Sequence, residues 1–155
     1  NLTEVKSAML ESTNPDNLEG DLADAMRGAD VFIGLSAADT VSPQMVSSMA
    51  KDSIVLAMAN PVPEIMPHLA KEAGAAVVGT GRSDFPNQIN NSLVFPGVFR
   101  GALDSHSTKI TTEMKLAAAE GLAAMVKEPT PGNVIPWSLD REVAQTVAKA
   151  VARAA

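Results

Sequence analysis

The sequence predicts an α/β chain, part of a doubly wound parallel sheet of at least three strands with flanking helices and a helical carboxyl-terminal end. Three observations carry this. Short apolar runs alternate with helical patterns between Asp30 and Gly79, and strand, helix, strand, helix, strand with short connections implies right-handed crossovers in a parallel sheet. Hydrophobic residues make up 46% of the chain but aromatics only 3%, so the core is aliphatic, as suits helices on a parallel sheet. Beyond Gly81 the character changes, with Met114, Ala118, Leu122, Met125 and Val126, then Val143, Val147 and Val151, at helical spacing.

The elements follow in order. Thr3 can cap a short helix in which Val5 and Met9 share a face, closed by Asn14-Pro15-Asp16. A second short helix, Asp21 to Met26, stops at Gly28, a good left-handed terminator. Asp30 to Ser36 is a brief apolar run of the kind that fills a strand buried on both faces. Ser42-Pro43 then gives an N-cap with proline at the first helical position, and Met45, Val46, Met49 and Ala50 form one stripe. Ser53 to Asn60 reads as the second strand, Pro67 to Ala73 as a helix ended by Gly74, and Ala75 to Gly79 as the third strand. Two longer helices, Thr111 to Lys127 and Asp140 to Ala154, are expected to cover the sheet or its neighbour, joined through the loop Glu128 to Gly132.

Composition narrows function. Lys and Arg number 12 against 18 Asp and Glu, a net charge of −6, with no basic cluster to meet a run of phosphates, so nucleic acid is excluded as a partner. No apolar run approaches the roughly 18 residues of a spanning helix, and the acidic start from Asn1 to Glu11 lacks a signal peptide's layout, so no membrane partner is expected and the cytoplasm is the default location. The chain has no Cys, which removes thiolate chemistry and thiolate metal sites, and no Tyr, which removes one kind of general acid. The Met-rich stripes read as core filler.

In open parallel sheets ligands bind beyond the carboxyl ends of the strands. Three loops lie there: Ser36-Ala37-Ala38, Asn60 to Glu64, and Gly79 to Asn91. Asn60 runs straight into Pro61 and is held extended, so its carboxamide, a donor and an acceptor, points in a defined direction. A role limited to satisfying loop backbone stays open for it. Asn87, Asn90 and Asn91 crowd three amides before the apolar stretch Leu93 to Phe99. If a helix begins near Asn90, its free N–H groups and dipole favour an anionic ligand group, while one of the three is expected simply to cap. Arg82 and Asp84 read as a pair bracing their turn, and His68 and His106, without a second ligand at metal spacing, as surface or helix-end residues. No Gly-x-Gly-x-x-Gly phosphate loop occurs.

Four motifs now agree in order and spacing. Gly28-Ala29-Asp30-Val31-Phe32-Ile33-Gly34, Ala59-Asn60-Pro61-Val62-Pro63-Glu64-Ile65, Thr80 to Asn91, and Phe95-Pro96-Gly97 resemble the bacterial malic enzymes, and the resemblance covers essentially the whole chain. It implies oxidative decarboxylation of L-malate to pyruvate and carbon dioxide, with reduction of NAD or NADP and a requirement for Mg or Mn. Residues 1–155 then correspond to the carboxyl-terminal portion of a Rossmann-like NAD(P)-binding domain, without its amino-terminal part and Gly-rich loop.

By the same resemblance, Asn60, Asn90 and Asn91 hold substrate, Asn60 and Asn91 also meet the nicotinamide end of the cofactor, and Ser36 and Ala37 run along it. Lys6 falls where relatives often carry a lysine near the adenosine ribose, although a solvated helix lysine is the favoured reading. The family's catalytic Tyr, Lys and metal-binding carboxylates match no position here, so the resemblance implies neither catalytic nor metal-ligating residues in residues 1–155, poor binding by these residues alone, and a homo-oligomeric whole. A malolactic-type enzyme shares these motifs. A non-catalytic nucleotide-binding module is a further reading.

Overall fold

The computed structural model describes residues 3–155. Its elements are α1 (Glu4–Leu10), α2 (Leu22–Met26), β1 (Val31–Gly34), α3 (Pro43–Ser47), β2 (Ile54–Ala57), α4 (Pro67–Glu72), β3 (Val77–Thr80), a single 3-10 turn (Asn91–Leu93), α5 (Phe95–Asp104), α6 (Thr112–Ala123) and α7 (Arg141–Arg153). The starts follow local chemistry. Thr3, Asp21, Ser42, Thr111 and Asp140 each accept a backbone N–H of the first turn, satisfying donors that have no partner within the helix.

The strands pair in parallel in the order β1-β2-β3. Val31 stands opposite Ile54 and Ile54 opposite Val77, while Phe32, Val55 and Val78 align on the other face. That second face is the core, where Phe32, Val55, Ala57 and Val78 pack against Met26, Val46, Ile65 and Ala70 from α2, α3, α4 and the loop before α4. The expectation of a strand buried on both faces is corrected for β1. Val31 is 47% and Ile33 60% exposed, because α2, α3 and α4 contribute to the core on one side only. An apolar run records that a strand avoids water but not which chain covers it.

A second core lies among the carboxyl-terminal helices. Leu93, Ala102, Met114, Ala118, Val143, Val147 and Val151 form it, so of the two expected alternatives, the sheet or its neighbour, α6 and α7 take the second and close on α5. The helix α5 is not foreseen in the sequence as an element. It packs on α7 through Gly97 and Gly101: a Cβ on Gly97 would stand 2.5 Å from the Cβ of Val147, and one on Gly101 would stand 2.5 Å from the carbonyl oxygen of Ala148. Glycines one turn apart therefore set a close approach of backbones that no larger residue permits.

Helix α1 stands apart, with no buried residue, and Val5, Met9 and Leu10 are exposed on it. Lys6 is likewise exposed.

Candidate functional site

The carboxyl ends of the three strands open into one pocket of about 500 Å³. Leu35 enters from beyond β1, Met58 and Asn60 from beyond β2, and Gly81 from beyond β3. Ile89, Asn90 and Asn91 arrive from the segment that follows. Leu93, Val94, Leu122 and Ile135 close the far side, so the pocket lies between the sheet core and the helical core.

The return of residues 87–91 to the strand ends is built by hydrogen bonds. The Ile89 N–H donates to the carbonyl of Thr80 at 2.7 Å, extending the sheet by one parallel bridge, Thr80 to Gln88. Asn87 locks the same segment from the other side. Its amide donates to the carbonyls of Val78 (3.0 Å) and Pro131 (2.9 Å), and its oxygen accepts the Val134 N–H at 2.9 Å. It is buried with φ of 55°, a left-handed conformation that Asn tolerates. Of the three crowded amides, Asn87 is thus a structural pin.

Asn90 is the cap. Its side-chain oxygen accepts the Ser92 N–H at 3.0 Å, leaving its NH2 as the end available to a ligand. The expected anion site at a helix start near Asn90 is corrected at this point. The helix there is one 3-10 turn, and its first donors are taken: Ser92 by the Asn90 side chain, Leu93 by the carbonyl of Asn90 and Val94 by that of Asn91. Asn60 and Asn91 are exposed and, among the described residues, make no side-chain hydrogen bond within the chain. The pocket therefore gathers three amide side chains with donors and acceptors to offer, set against apolar walls. That arrangement suits a small ligand oriented by a few hydrogen bonds.

Ser36 and Ala37 follow Leu35 but lie outside the pocket lining. Ser36 donates its N–H at 2.8 Å and its hydroxyl at 3.3 Å to one carboxylate oxygen of Glu64. The other oxygen of Glu64 accepts the Ala59 N–H at 3.0 Å. The same two loops are further joined by Asp39 N–H to the Pro63 carbonyl and Val41 N–H to the Glu64 carbonyl. Glu64 is completely buried. Burial pushes its carboxyl up, but the Ser36 and Ala59 donors outweigh this and hold it below the ordinary glutamate value. The sequence names Glu64 only as a motif letter; the sign of its role is a lone carboxylate between the buried Pro63 and Ile65.

Arg82 grips Asp84 through two hydrogen bonds, at 2.9 and 2.7 Å, reaches the carbonyl of Pro61 at 3.3 Å and lies over the Phe85 ring. Pairing lowers the Asp84 carboxyl and raises the Arg82 guanidinium relative to their ordinary values. The pair braces its own turn, as expected, and the contact with Pro61, which is not foreseen in the sequence, ties the loop after β3 to the loop after β2. His68 on α4 and His106 just past α5 are both exposed. Among the described residues no cluster of three or more His, Asp or Glu could hold a metal ion, and no helix is long and apolar enough to cross a membrane.

With this geometry in place, comparison with known proteins is specific. The family described as malic enzyme, NAD binding domain, matches residues 6–155. The bifunctional malic/malolactic enzyme of Bacillus subtilis is 56% identical over 99% of this chain and 38% of its own length. The NADP-dependent malic enzyme of Escherichia coli is 40% identical over 100% of this chain and 22% of its own. The crystal structure of the NAD-dependent malic enzyme of Thermotoga maritima superposes with a TM-score of 0.95 at 46% identity, covering all of this chain and 41% of that one. The chain spans well under half the length of each of these relatives.

Proposed function

The chain belongs to the malic enzyme family, through that family's NAD-binding domain, and from this we propose that it forms the carboxyl-terminal portion of the dinucleotide domain in an enzyme that oxidises L-malate to pyruvate and carbon dioxide with NAD or NADP. The observation that carries the proposal is the convergence of Asn60 with Asn90 and Asn91 in one pocket at the carboxyl edge of the sheet. Malate presents two carboxylates and a hydroxyl. Neutral amides can orient it by donating to its carboxylates and accepting from its hydroxyl.

The residues fit a nicotinamide as well as malate. Leu35, Met58 and Ile135 offer apolar surface to a ring, while the Asn60 and Asn91 side chains can meet a carboxamide. The bound cofactor supplies the hydride acceptor for the C2 carbon of malate. Loss of hydride from C2 and of the hydroxyl proton leaves a β-keto acid; its β-carboxylate departs as carbon dioxide, and protonation of the resulting enolate gives pyruvate. In this scheme Asn60 and Asn91 would hold malate and the cofactor's carboxamide by hydrogen bonds, and Ser36 and Ala37 would run along the cofactor beyond the pocket.

Mg or Mn enters through the family alone. The pocket's polar side chains are neutral amides, and the adjacent carboxylate, Glu64, is engaged by Ser36 and Ala59, so these residues do not fit as a cation's ligands. The metal's chemistry, the proton-transfer groups and subunit association are assigned to parts of the enzyme outside this set. The proposal places the enzyme in the cytoplasm.

Kinetics of the malic enzyme that carries this chain test the reading. Losing a hydrogen bond to a charged group costs about 1.5–3 kcal/mol, so Asn60→Ala and Asn91→Ala should each reduce kcat/KM for malate roughly ten- to a hundredfold with little change in melting temperature. Unchanged malate kinetics in both variants removes these residues from the site. The 56% identity to a bifunctional malic/malolactic enzyme favours one second reading, conversion of malate to lactate. Lactate formed without free reduced nucleotide would establish it.

A further inference from the structure

We propose that Glu64 is a positioning residue for the pocket, fixing the loops after β1 and β2 in the one arrangement that presents Asn60 and the Ser36-Ala37 turn to substrate and cofactor; the inference rests on the reading of the pocket given above. The geometry is that of a clamp. One carboxylate oxygen takes the N–H and hydroxyl of Ser36, next to the pocket-lining Leu35. The other closes back onto Ala59, five residues earlier, so that Asn60 lies inside the loop the carboxylate closes. A single buried group thereby joins the exits of two strands.

Three further observations support the clamp. The carboxylate forms no ion pair among the described residues; its charge is held by backbone N–H groups and one hydroxyl, whose directions are set by the loops themselves. The β1 terminus is shaped around it, since a Cβ on Gly34 would fall 2.5 Å from its carboxyl carbon and 2.6 Å from the oxygen that binds Ser36. And a neutral isostere cannot replace it. A glutamine offers one acceptor oxygen, so its NH2 must face either the Ser36 or the Ala59 N–H, donor against donor, and one loop is released.

The test separates positioning from plain structural support. In the intact malic enzyme, Glu64→Gln is compared with Val46→Ala, which opens the same core away from the pocket. At a temperature well below both melting points, Glu64→Gln should raise KM for malate and for the cofactor about tenfold, the scale of one hydrogen bond to the ligand lost through misplacement, while Val46→Ala leaves both unchanged. If the two variants have equal KM values, the inference fails. Should Glu64→Gln not fold, Gly34→Ala, whose methyl displaces the carboxylate, takes the same comparison with the same outcomes. The wild-type protein adds a reading that needs no variant: without ligand, the Ser36 and Ala59 amides should exchange slowly, and exchange at open-loop rates overturns the clamp. Asn60→Ala serves as the control. If it raises malate KM while Glu64→Gln does not, only the clamp is wrong; if neither does, the pocket itself is misassigned and the clamp falls with it.

Discussion

The two halves of the molecule reach close packing by opposite means. In the sheet half, from α2 to β3, branched and aromatic side chains fill one face of a three-stranded sheet, and the strands meet through their ladder. In the helical half, from α5 to α7, side chains are removed where contact is tightest, and Gly97 and Gly101 let α5 sit against the backbone of α7. The pocket lies between the two and takes walls from both. A periodic apolar pattern announces contact made by bulk, whereas contact made by absence of bulk looks in the sequence like a turn.

The comparison breaks most sharply at Gly101. Replacing it with Val drives methyl groups into the Ala148 carbonyl and Val151, at a cost of about 3 kcal/mol or more, the upper end for overpacking. Gly132 has open space around it, so Gly132→Ala should change stability by less than about 0.5 kcal/mol, as surface substitutions do. Urea unfolding of both variants checks the contrast. Equal stabilities would mean that α5 and α7 do not meet through glycine.

A smaller effect is expected from acid at the junction of the sheet and the pocket. The folded protein holds the Glu64 carboxyl below its usual value of 4.5, so its charge contributes stability that is present above the unfolded pKa and lost as pH falls through the depressed folded one. Wild-type protein should lose more stability than Glu64→Gln between about pH 4.5, the ordinary glutamate range, and more acidic solution. Parallel pH profiles of the two melting temperatures would show that folding does not lower the Glu64 pKa.

The smallest effects belong to surface charge in either half. The Arg100–Asp104 pair on α5 is exposed at both ends, and solvent screening leaves such pairs little weight. Asp104→Asn should leave the melting temperature unmoved, and added salt should change neither protein. A clear drop in melting temperature would show this pair to be structural.

Legibility follows the same division. The parallel sheet, its three strands and the helices α2, α3 and α4 can be read from apolar runs punctuated by Ser42-Pro43, Gly28 and Gly74, because each residue states a local preference with a local consequence; the order of the strands appears only in the structure. The caps at Thr111 and Asp140 likewise mark α6 and α7. Phe95-Pro96-Gly97 and Gly101 conceal α5, since proline and glycine carry the same letters at a helix start or contact as in a loop. The pocket amides Asn60, Asn90 and Asn91 are legible because each belongs to a loop at a strand's carboxyl end. Glu64 and Asn87 are not. Their roles consist of hydrogen bonds to partners 28 and 47 residues away, which no local spacing encodes.

The proposed function requires that Asn60, Asn90 and Asn91 receive one ligand. A crystal structure of the intact enzyme with NAD or NADP and a non-oxidisable dicarboxylate analogue of malate decides it. The predicted result is a ligand carboxylate or hydroxyl within about 2.7–3.2 Å of the Asn60 and Asn91 amides, normal hydrogen-bond range, with the nicotinamide against the wall beside them. A dicarboxylate bound elsewhere, with Asn60 and Asn91 facing only solvent, would contradict it.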